Sequence, residues 1–138
     1  MQVNEIMTSP VETITPETSL VDAAKLMRDL GIGLLPVATD QKIVGMISDR
    51  DITVGAVAKG LDPERTTANE VMTTKVFSCP TGSDVMDACA VMEEKQVRRL
   101  LVVDAADAPI GIVSLGDIAL HLRREQSGEV LKKVSQPS

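Results

Sequence analysis

The chain has 138 residues, of which 43% are hydrophobic and 25% are charged, an ordinary composition for a soluble globular domain. Its net charge is −6 and Phe77 is its one aromatic residue, so it lacks the basic surface and stacking rings of nucleic-acid binders. No apolar run approaches the roughly 18 residues of a membrane-spanning helix. The first residues lack the basic and apolar pattern of a signal peptide, so we expect a cytoplasmic protein that binds neither nucleic acid nor membrane.

An internal repeat organises the chain. Asn4–Thr8 returns as Asn69–Thr73, and Gly45–Ile52 returns as Gly111–Ile118 with glycine, serine and aspartate at the same spacing. Such self-similarity indicates one supersecondary unit used twice, because a single copy cannot bury its apolar face alone. We therefore expect repeats over residues 1–62 and 63–126 and a polar C-terminal tail over residues 127–138.

The first repeat opens with an extended piece, Val11–Ile14, and continues into an amphipathic helix. Ser19 is a typical N-cap and Gly31 a typical stop, which predicts a helix over residues 20–30. Its buried face is predicted to carry Leu20, Ala23, Ala24, Met27 and Leu30. Two apolar runs, 34–38 and 43–47, predict buried strands, and a second helix is expected from Asp51 to Lys59, ended by Gly60. Residues 61–68 are predicted to link the repeats.

The second repeat follows the same order. An extended piece, Val76–Cys79, precedes a helix that Asp84 caps and whose inward residues are Val85, Ala88, Cys89 and Met92. Strands are predicted over residues 100–103 and 110–113, and a last helix from Asp117 to about Arg124. The order β-α-β-β-α, used twice, predicts an α/β (α+β) domain whose two repeats are related by a pseudo-twofold axis and pack sheet to sheet.

The Ser-x-x-Asp turn of each repeat has two interpretations. A helix start attracts phosphate through its unpaired N–H groups and dipole, and the hydroxyl of Ser48 or Ser114 can donate to the same phosphate. Asp51 or Asp117, three residues on, can accept hydrogen bonds from the two hydroxyls of a ribose. The same pattern is typical of a capping box, in which each side chain satisfies a backbone N–H group of the other residue. Either copy alone favours the cap.

Metal and catalytic sites are not indicated. Cys79, Cys89 and His121 are too few and wrongly spaced for a zinc site, and both cysteines are interpreted as packing residues. His121 is expected to pair with Glu125, one helical turn along. The sequence has no nucleophile elbow and no Gly-rich phosphate loop, so an enzyme is the least favoured class.

With these features in place, the chain resembles a tandem pair of CBS domains, also called a Bateman module. The resemblance covers residues 3–124 and rests on the two Gly-x-x-Ser-x-x-Asp segments, the two Asn-Glu-x-Met-Thr openings and the Leu35-Pro36-Val37 strand. It implies a stand-alone regulatory module that binds an adenosine-containing ligand between the repeats, with no obligatory cofactor. The ligand is left open among AMP, ADP, ATP, NAD(H) and S-adenosylmethionine, as is the presence of Mg²⁺.

The resemblance also implies roles for residues of this chain. Phosphate would be held by Ser48, Ser114, Arg50, Arg98 and Arg99, and ribose by Asp51 and Asp117. The base would lie against Thr13, Ile14 and Pro36 in one site, and against Ser78, Cys79 and Leu101 in the other. The repeats differ at two places, because Asp49-Arg50 corresponds to Leu115-Gly116, and Gly33-Leu34 to Arg98-Arg99. We do not expect two equal sites.

Two other expectations concern association. If the turns are only caps, the chain is a structural or protein-interaction module with an empty cleft. CBS pairs commonly dimerise through their helices, and here residues 20–30 and 52–58 carry apolar side chains on more than one face. Small residues in the run Thr53–Gly60 would allow close helix approach. We expect a homodimer and a regulated partner protein.

Overall fold

The computed structural model describes the backbone of residues 1–134 and the side chains of residues 1–125. The chain forms two compact units. One consists of Pro10–Val76 and is called here the Ser48 unit; the other joins Met1–Ser9 to the chain from Phe77 onward and is called the Ser114 unit. Both mix helices with a small sheet, as the predicted fold class requires, and this part of the prediction is confirmed.

The Ser48 unit contains three helices and a two-stranded sheet. Its elements are α1 (Leu20–Leu30), β1 (Leu34–Thr39), β2 (Lys42–Ser48), α2 (Asp49–Ile52) continued by a π-helical turn (Thr53–Val57), and α3 (Ala68–Val71). The side chain of Ser19 accepts a hydrogen bond from Asp22 N–H, and Gly31 ends α1 with a φ of +66°. Both signals were therefore correctly predicted from the sequence.

Strands β1 and β2 are antiparallel, with Leu34 opposite Ser48 and Val37 opposite Gly45. The extended piece before α1 contributes a single parallel bridge, between Ile14 and Val37, rather than a full strand. The core of this unit consists of Ile14, Leu20, Ala23, Met27, Leu35, Val37, Ile47, Ala56 and Ala68.

The Ser114 unit begins with a 3-10 turn (Val3–Glu5) and contains a three-stranded sheet. Its other elements are β3 (Ser78–Pro80), α4 (Val85–Lys95), β4 (Arg99–Val103), β5 (Pro109–Ser114) and α5 (Leu115–Val134). Strand β3 is parallel to β4 and β5 is antiparallel to it, with a bulge after Val102 that matches the bulge after Val37 in the other unit. The core consists of Val3, Cys79, Val85, Ala88, Met92, Leu100, Val102, Val113 and Ile118.

The opening segment of each sequence repeat belongs to the unit of the other repeat. Thr8 and Ile112 exchange both backbone hydrogen bonds, at 2.8 and 3.0 Å, and Thr73 and Met46 do the same, both at 2.9 Å. Val3, from the first repeat, is fully buried in the core of the Ser114 unit. Each opening segment thus extends the sheet of a unit that is otherwise built from the other repeat.

Several predicted boundaries were wrong. Helix α2 begins at Asp49 and α5 at Leu115, two residues before the motif aspartate, because each motif serine is the residue that precedes the helix. Helix α5 does not end near Arg124 but continues to Val134, so a helix occupies most of the predicted tail, whose last residues, 135–138, lie outside the described residues. Ala24 and Leu30 are exposed, because the buried stripe of α1 is narrow and contains only Leu20, Ala23 and Met27.

The predicted linker, residues 61–68, is better ordered than expected. The carbonyl of Thr66 accepts a hydrogen bond from Leu20 N–H at 3.0 Å, and that of Thr18 accepts one from Ala68 N–H at 2.8 Å. Thr66 is buried, and its hydroxyl donates to the carbonyl of Asp62 at 2.7 Å. These bonds dock the linker against the start of α1.

Candidate functional site

Both Ser-x-x-Asp turns form complete capping boxes. Ser48 N–H donates to Asp51 Oδ2 at 2.8 Å, and Asp51 N–H donates to Ser48 Oγ at 3.1 Å. In the Ser114 unit the corresponding distances are 3.3 Å and 3.0 Å. All four residues are half-buried. The sequence pattern alone therefore indicated a hydrogen-bonding arrangement that both units share.

The capping boxes leave part of each side chain uncommitted. Each serine Oγ acts as an acceptor within its box, so its hydroxyl proton remains available to a ligand. In Asp51 and in Asp117, Oδ2 accepts the serine N–H, and no described group donates to Oδ1, so each carboxylate retains a second oxygen for a ligand. A cap and a ligand contact are chemically compatible at the same turn.

The glycine that begins each motif lies under a methionine. A Cβ on Gly45 would be 2.7 Å from Met72 Sδ and 2.9 Å from the Thr73 carbonyl oxygen. A Cβ on Gly111 would overlap Met7, with its Cγ at 2.7 Å. The two methionines occupy the same position in the repeated Asn-Glu-x-Met-Thr openings. The openings are visible in the sequence as a repeat, but their contact with the glycines is not.

The strand residue opposite each motif serine differs between the units. Leu34 lies opposite Ser48, whereas Arg99 lies opposite Ser114. The residue after each motif serine is bonded to the residue before the serine's cross-strand partner. Asp49 N–H donates to the Gly33 carbonyl at 2.9 Å, and Leu115 N–H donates to the Arg98 carbonyl at 2.8 Å. Arg98 and Arg99 are therefore placed beside the Ser114 turn, and both are exposed.

The Ser48 turn carries a different set of charges. Asp49 Oδ1 accepts a hydrogen bond from Arg50 N–H at 2.8 Å, and its other oxygen lies over Gly33, only 2.7 Å from where a Cβ would be. Arg50 is exposed. The predicted cation of this turn is thus accompanied by two carboxylates, those of Asp49 and Asp51.

The predicted base contacts are brought together within each unit. Ile14 N–H donates to the Pro36 carbonyl at 3.0 Å, and Ser78 is paired with Leu101 in the parallel part of the sheet. Thr13 and Ser78 are exposed, but the four remaining residues of this set are buried: Ile14, Pro36, Cys79 and Leu101. Burial leaves little of these four side chains accessible to a base.

Burial raises the pKa of both thiols, Cys79 and Cys89, which favours their neutral form. Cys79 is 5% exposed, while Cys89 is half-buried and lines a cavity of about 400 Å³ between the end of α4 and the first residue of α5. Arg98 and Leu115 also line this cavity, whereas Ser114 and Asp117 do not. The cavity lies beside the Ser114 turn rather than in it.

His121 lies 3.3 Å from Glu125 through its Nε2 atom, as predicted for residues one helical turn apart. Among the described residues, no cluster of three or more His, Cys, Asp or Glu side chains is placed to hold a metal ion. Nor does any described helix combine the length and the apolar character needed to cross a bilayer.

Comparison with known proteins identifies the family. The CBS domain model matches residues 3–55 and 68–124, so each match contains one Ser-x-x-Asp turn. The chain belongs to the CBS domain family. The CBS domain-containing protein YhcV of Bacillus subtilis is 36% identical over 134 residues, which cover 96% of this chain and 94% of YhcV.

Solved structures of CBS-domain proteins have the same fold. One from Burkholderia ambifaria aligns with a TM-score of 0.80 and 30% identity, over 91% of this chain and 96% of its own. The CBS domain pair of protein MJ0100, solved in complex with 5′-methylthioadenosine and S-adenosyl-L-methionine, aligns with a TM-score of 0.76 and 28% identity. That alignment covers 88% of this chain and 99% of the pair. The predicted family is therefore confirmed.

Proposed function

We propose that this protein is a regulatory module rather than an enzyme, and that it binds an adenosine-containing ligand at its Ser-x-x-Asp turns. The ligand classes are adenine nucleotides and related adenosyl compounds. Support comes from the CBS pair of MJ0100, which was solved with two adenosyl ligands. Binding would then bias the protein toward one conformational state, which a partner protein distinguishes.

One observation carries this proposal: the same half-buried serine and aspartate pair occurs in both units, with an uncommitted hydroxyl proton and an uncommitted carboxylate oxygen. In the proposed complex with a phosphorylated ligand the motif serine, Ser48 or Ser114, donates to phosphate, and with any adenosyl ligand Asp51 or Asp117 accepts from the ribose hydroxyls. The cations near phosphate are Arg50 in one unit and Arg98 with Arg99 in the other. The base lies near the extended pieces that contain Ile14 and Ser78.

The test is a thermal-shift panel on protein that has been unfolded and refolded to remove any ligand carried along. The panel contains adenosine, AMP, ADP, ATP (with and without Mg²⁺), NAD(H), S-adenosylmethionine and 5′-methylthioadenosine. A ligand at 100 times its Kd stabilises the folded state by about 2.7 kcal/mol, which raises Tm by several degrees. We expect a shift that Asp51→Ala, Asp117→Ala or both abolish.

Ser19→Ala is the matched control for loss of a cap. Ser19 Oγ accepts from Asp22 N–H at 3.1 Å, the same length as the Ser48 bond, but Ser19 belongs to neither motif. All three serine variants, at positions 19, 48 and 114, should lose about 1 kcal/mol of stability. Only Ser48→Ala and Ser114→Ala should weaken ligand binding. Equal ligand responses in all three variants would contradict the proposal.

A second candidate function is a protein-interaction module without a small ligand. The capping boxes favour it, because both are complete in the protein alone and explain the shared spacing of the two motifs without any ligand. In that case no member of the panel would shift Tm, and the serine variants would behave as Ser19→Ala does.

We also propose a homodimer that forms through helices. Val54 is 50% exposed, Val57 62% and Leu61 42%, so the segment that follows α2 presents a row of large apolar side chains. Such side chains become buried when helices of two copies pack together. Light scattering at two protein concentrations tests this, and a strictly monomeric mass at the higher concentration would contradict it.

A further inference from the structure

The two Ser-x-x-Asp turns share their hydrogen bonds but not their charges. In the Ser114 unit Arg99 is the cross-strand neighbour of Ser114, and in the Ser48 unit the equivalent neighbour is Leu34. Residues directly opposite each other in an antiparallel pair have Cβ atoms about 4.5–5.5 Å apart and lie on the same face of the sheet. The side chain of Arg99 therefore starts beside Ser114, where the Ser48 turn has the aliphatic side chain of Leu34.

A second contrast lies at the first helical residue. Leu115 is bonded through its N–H to the Arg98 carbonyl, while Asp49 is bonded in the same way to the Gly33 carbonyl. The Asp49 carboxylate occupies the space over Gly33, so a larger residue at position 33 would displace it. The Ser114 unit thus has a cation, Arg98, before its strand and an uncharged residue at the start of its helix. The Ser48 unit has glycine before its strand and a carboxylate, Asp49, at the start of its helix.

The sum of the charges at the two turns differs by one unit. Arg99 and Asp117 give the Ser114 turn no net charge, and Arg98 lines the adjacent cavity together with Glu93. Arg50, Asp49 and Asp51 give the Ser48 turn one net negative charge. Within the described side chains none of the three arginines forms an ion pair, so their charge is available to a ligand. A difference of one unit charge within several ångströms changes the affinity for an anion on the order of tenfold.

We infer that the two turns sort adenosyl ligands by the charge of the group attached to the ribose. The Ser114 turn selects phosphorylated nucleotides, and the Ser48 turn selects adenosyl compounds whose substituent is uncharged or cationic. This inference rests on the proposed function and adds to it which ligand class each turn prefers. Arg99 and Asp49 are the residues that determine the selection.

The experiment measures Kd by calorimetry for three probes: adenosine, AMP and S-adenosylmethionine. Asp51→Asn leaves only the Ser114 turn competent, and Asp117→Asn leaves only the Ser48 turn. Asparagine keeps an oxygen that can accept the serine N–H, so the cap survives in both variants. The readout is the ratio of the Kd for adenosine to the Kd for AMP, which cancels contributions from base and ribose.

We expect this ratio to exceed ten in Asp51→Asn and to be near or below one in Asp117→Asn, where S-adenosylmethionine binds more tightly than AMP. Added to Asp51→Asn, Arg99→Leu should lower the ratio on the order of tenfold. Added to Asp117→Asn, Asp49→Leu, which introduces the residue of the other repeat, should raise it by a similar factor. The preference for AMP should weaken as salt is raised, because exposed charges are screened.

Arg65→Leu is the control for removing a positive charge elsewhere, since the Arg65 side chain is 90% exposed and lies 3.8 Å from Asp62, away from either motif in sequence. It should leave the ratio unchanged. Equal ratios in the two single-turn proteins, or ratios that Arg99→Leu and Asp49→Leu do not move, would overturn the inference and leave the proposed function intact. Absence of binding by all three probes to the unmodified protein would overturn both.

Discussion

The side chain of Met7 lies so close to the Cα of Gly111 that no Cβ fits between them. A Cβ built on Gly111 would meet Met7 Cγ at 2.7 Å and its Cβ at 3.1 Å. Met72 and Gly45 have the same relationship in the other unit, with one addition: the Thr73 carbonyl oxygen would lie 2.9 Å from the new Cβ. A flexible thioether can move aside, whereas a carbonyl that accepts a hydrogen bond from Met46 N–H cannot move without breaking it.

The first prediction follows from that difference. Gly111→Ala and Gly45→Ala should each lower the free energy of unfolding by about 1–3 kcal/mol, because overpacking forces neighbours out of place. Met7→Ala should partly compensate Gly111→Ala, since the three atoms nearest to the new Cβ all belong to Met7. Met72→Ala should compensate Gly45→Ala much less, because the carbonyl contact remains. Denaturant unfolding of the single and double variants gives both coupling energies.

Gly116→Ala is the control, since a Cβ there would meet only Ser114 Oγ, at an ordinary 3.7 Å. Its stability should stay equal to that of the unmodified protein or rise slightly, as alanine favours the helix. Equal coupling energies at the two methionine–glycine pairs would contradict the distinction between side-chain and backbone contacts.

The second prediction concerns the opening segment. Val3 is fully buried in the core of the Ser114 unit, and its N–H donates to the Ser83 carbonyl at 2.8 Å. Val3→Ala should destabilise the protein by about 1–3 kcal/mol through the cavity it leaves. In this variant, amide hydrogen exchange should accelerate more in α4 and β5 than in α1 and β2. Strand β5 contains Ile112, which exchanges two backbone hydrogen bonds with Thr8 of the opening segment. Equal acceleration in both units would mean that the opening segment does not belong to the Ser114 unit alone.

Much of the fold was predictable because its signals are local. Ser19 and Gly31 give the bounds of α1, and the apolar runs give the strands to within two residues. The exchange of opening segments was not predictable in this way. It depends on which strand Thr8 and Thr73 pair with, and pairing partners distant in sequence leave no periodicity in the segment itself.

In the candidate site, too, local features were predictable from the sequence and features set by strand pairing were not. The spacing of Ser48 and Asp51 predicts their mutual hydrogen bonds, since both residues lie in one helical turn. The sequence also identified Arg98 and Arg99 as cations that distinguish the repeats. It did not show that Arg99 lies opposite Ser114 while Arg98 contacts Leu115, because the register of β4 against β5 sets both relationships. The burial of Pro36 and Leu101, in contrast, was predicted, because both belong to apolar runs interpreted as buried strands.

The third prediction concerns the thiols. Burial raises the pKa of Cys79 and of Cys89, so both should react with iodoacetamide at neutral pH more slowly than free cysteine. Cys89 is the more accessible of the two and should react first, with Cys79 reacting only as the protein opens. Mass spectrometry of peptides after timed labelling measures both rates. Faster modification of Cys79 would show that the extended piece before α4 opens more readily than its burial indicates.

The fourth prediction is a pH dependence carried by Asp84, the residue that caps α4. Asp84 Oδ1 accepts a hydrogen bond from Met86 N–H at 2.8 Å, and this bond lowers the pKa of the carboxyl below its usual range. The positive amino terminus, 3.4 Å from Oδ2, acts in the same direction. Because the folded state favours the ionised form, the contribution of Asp84 to stability is complete above the pKa of an unfolded aspartate, about 3.9.

That contribution should be lost as the pH falls through the lower pKa of the folded state. Asp84→Asn keeps an oxygen that can cap the helix but carries no charge, so it should be less stable than the unmodified protein at pH 7. The difference should shrink steadily below about pH 4 as the native carboxyl becomes protonated. Unfolding free energies of the two proteins, measured by denaturant titration from pH 7 to pH 2, give the comparison. A difference that stays constant over this range would mean that the ionised carboxylate contributes nothing beyond the neutral cap.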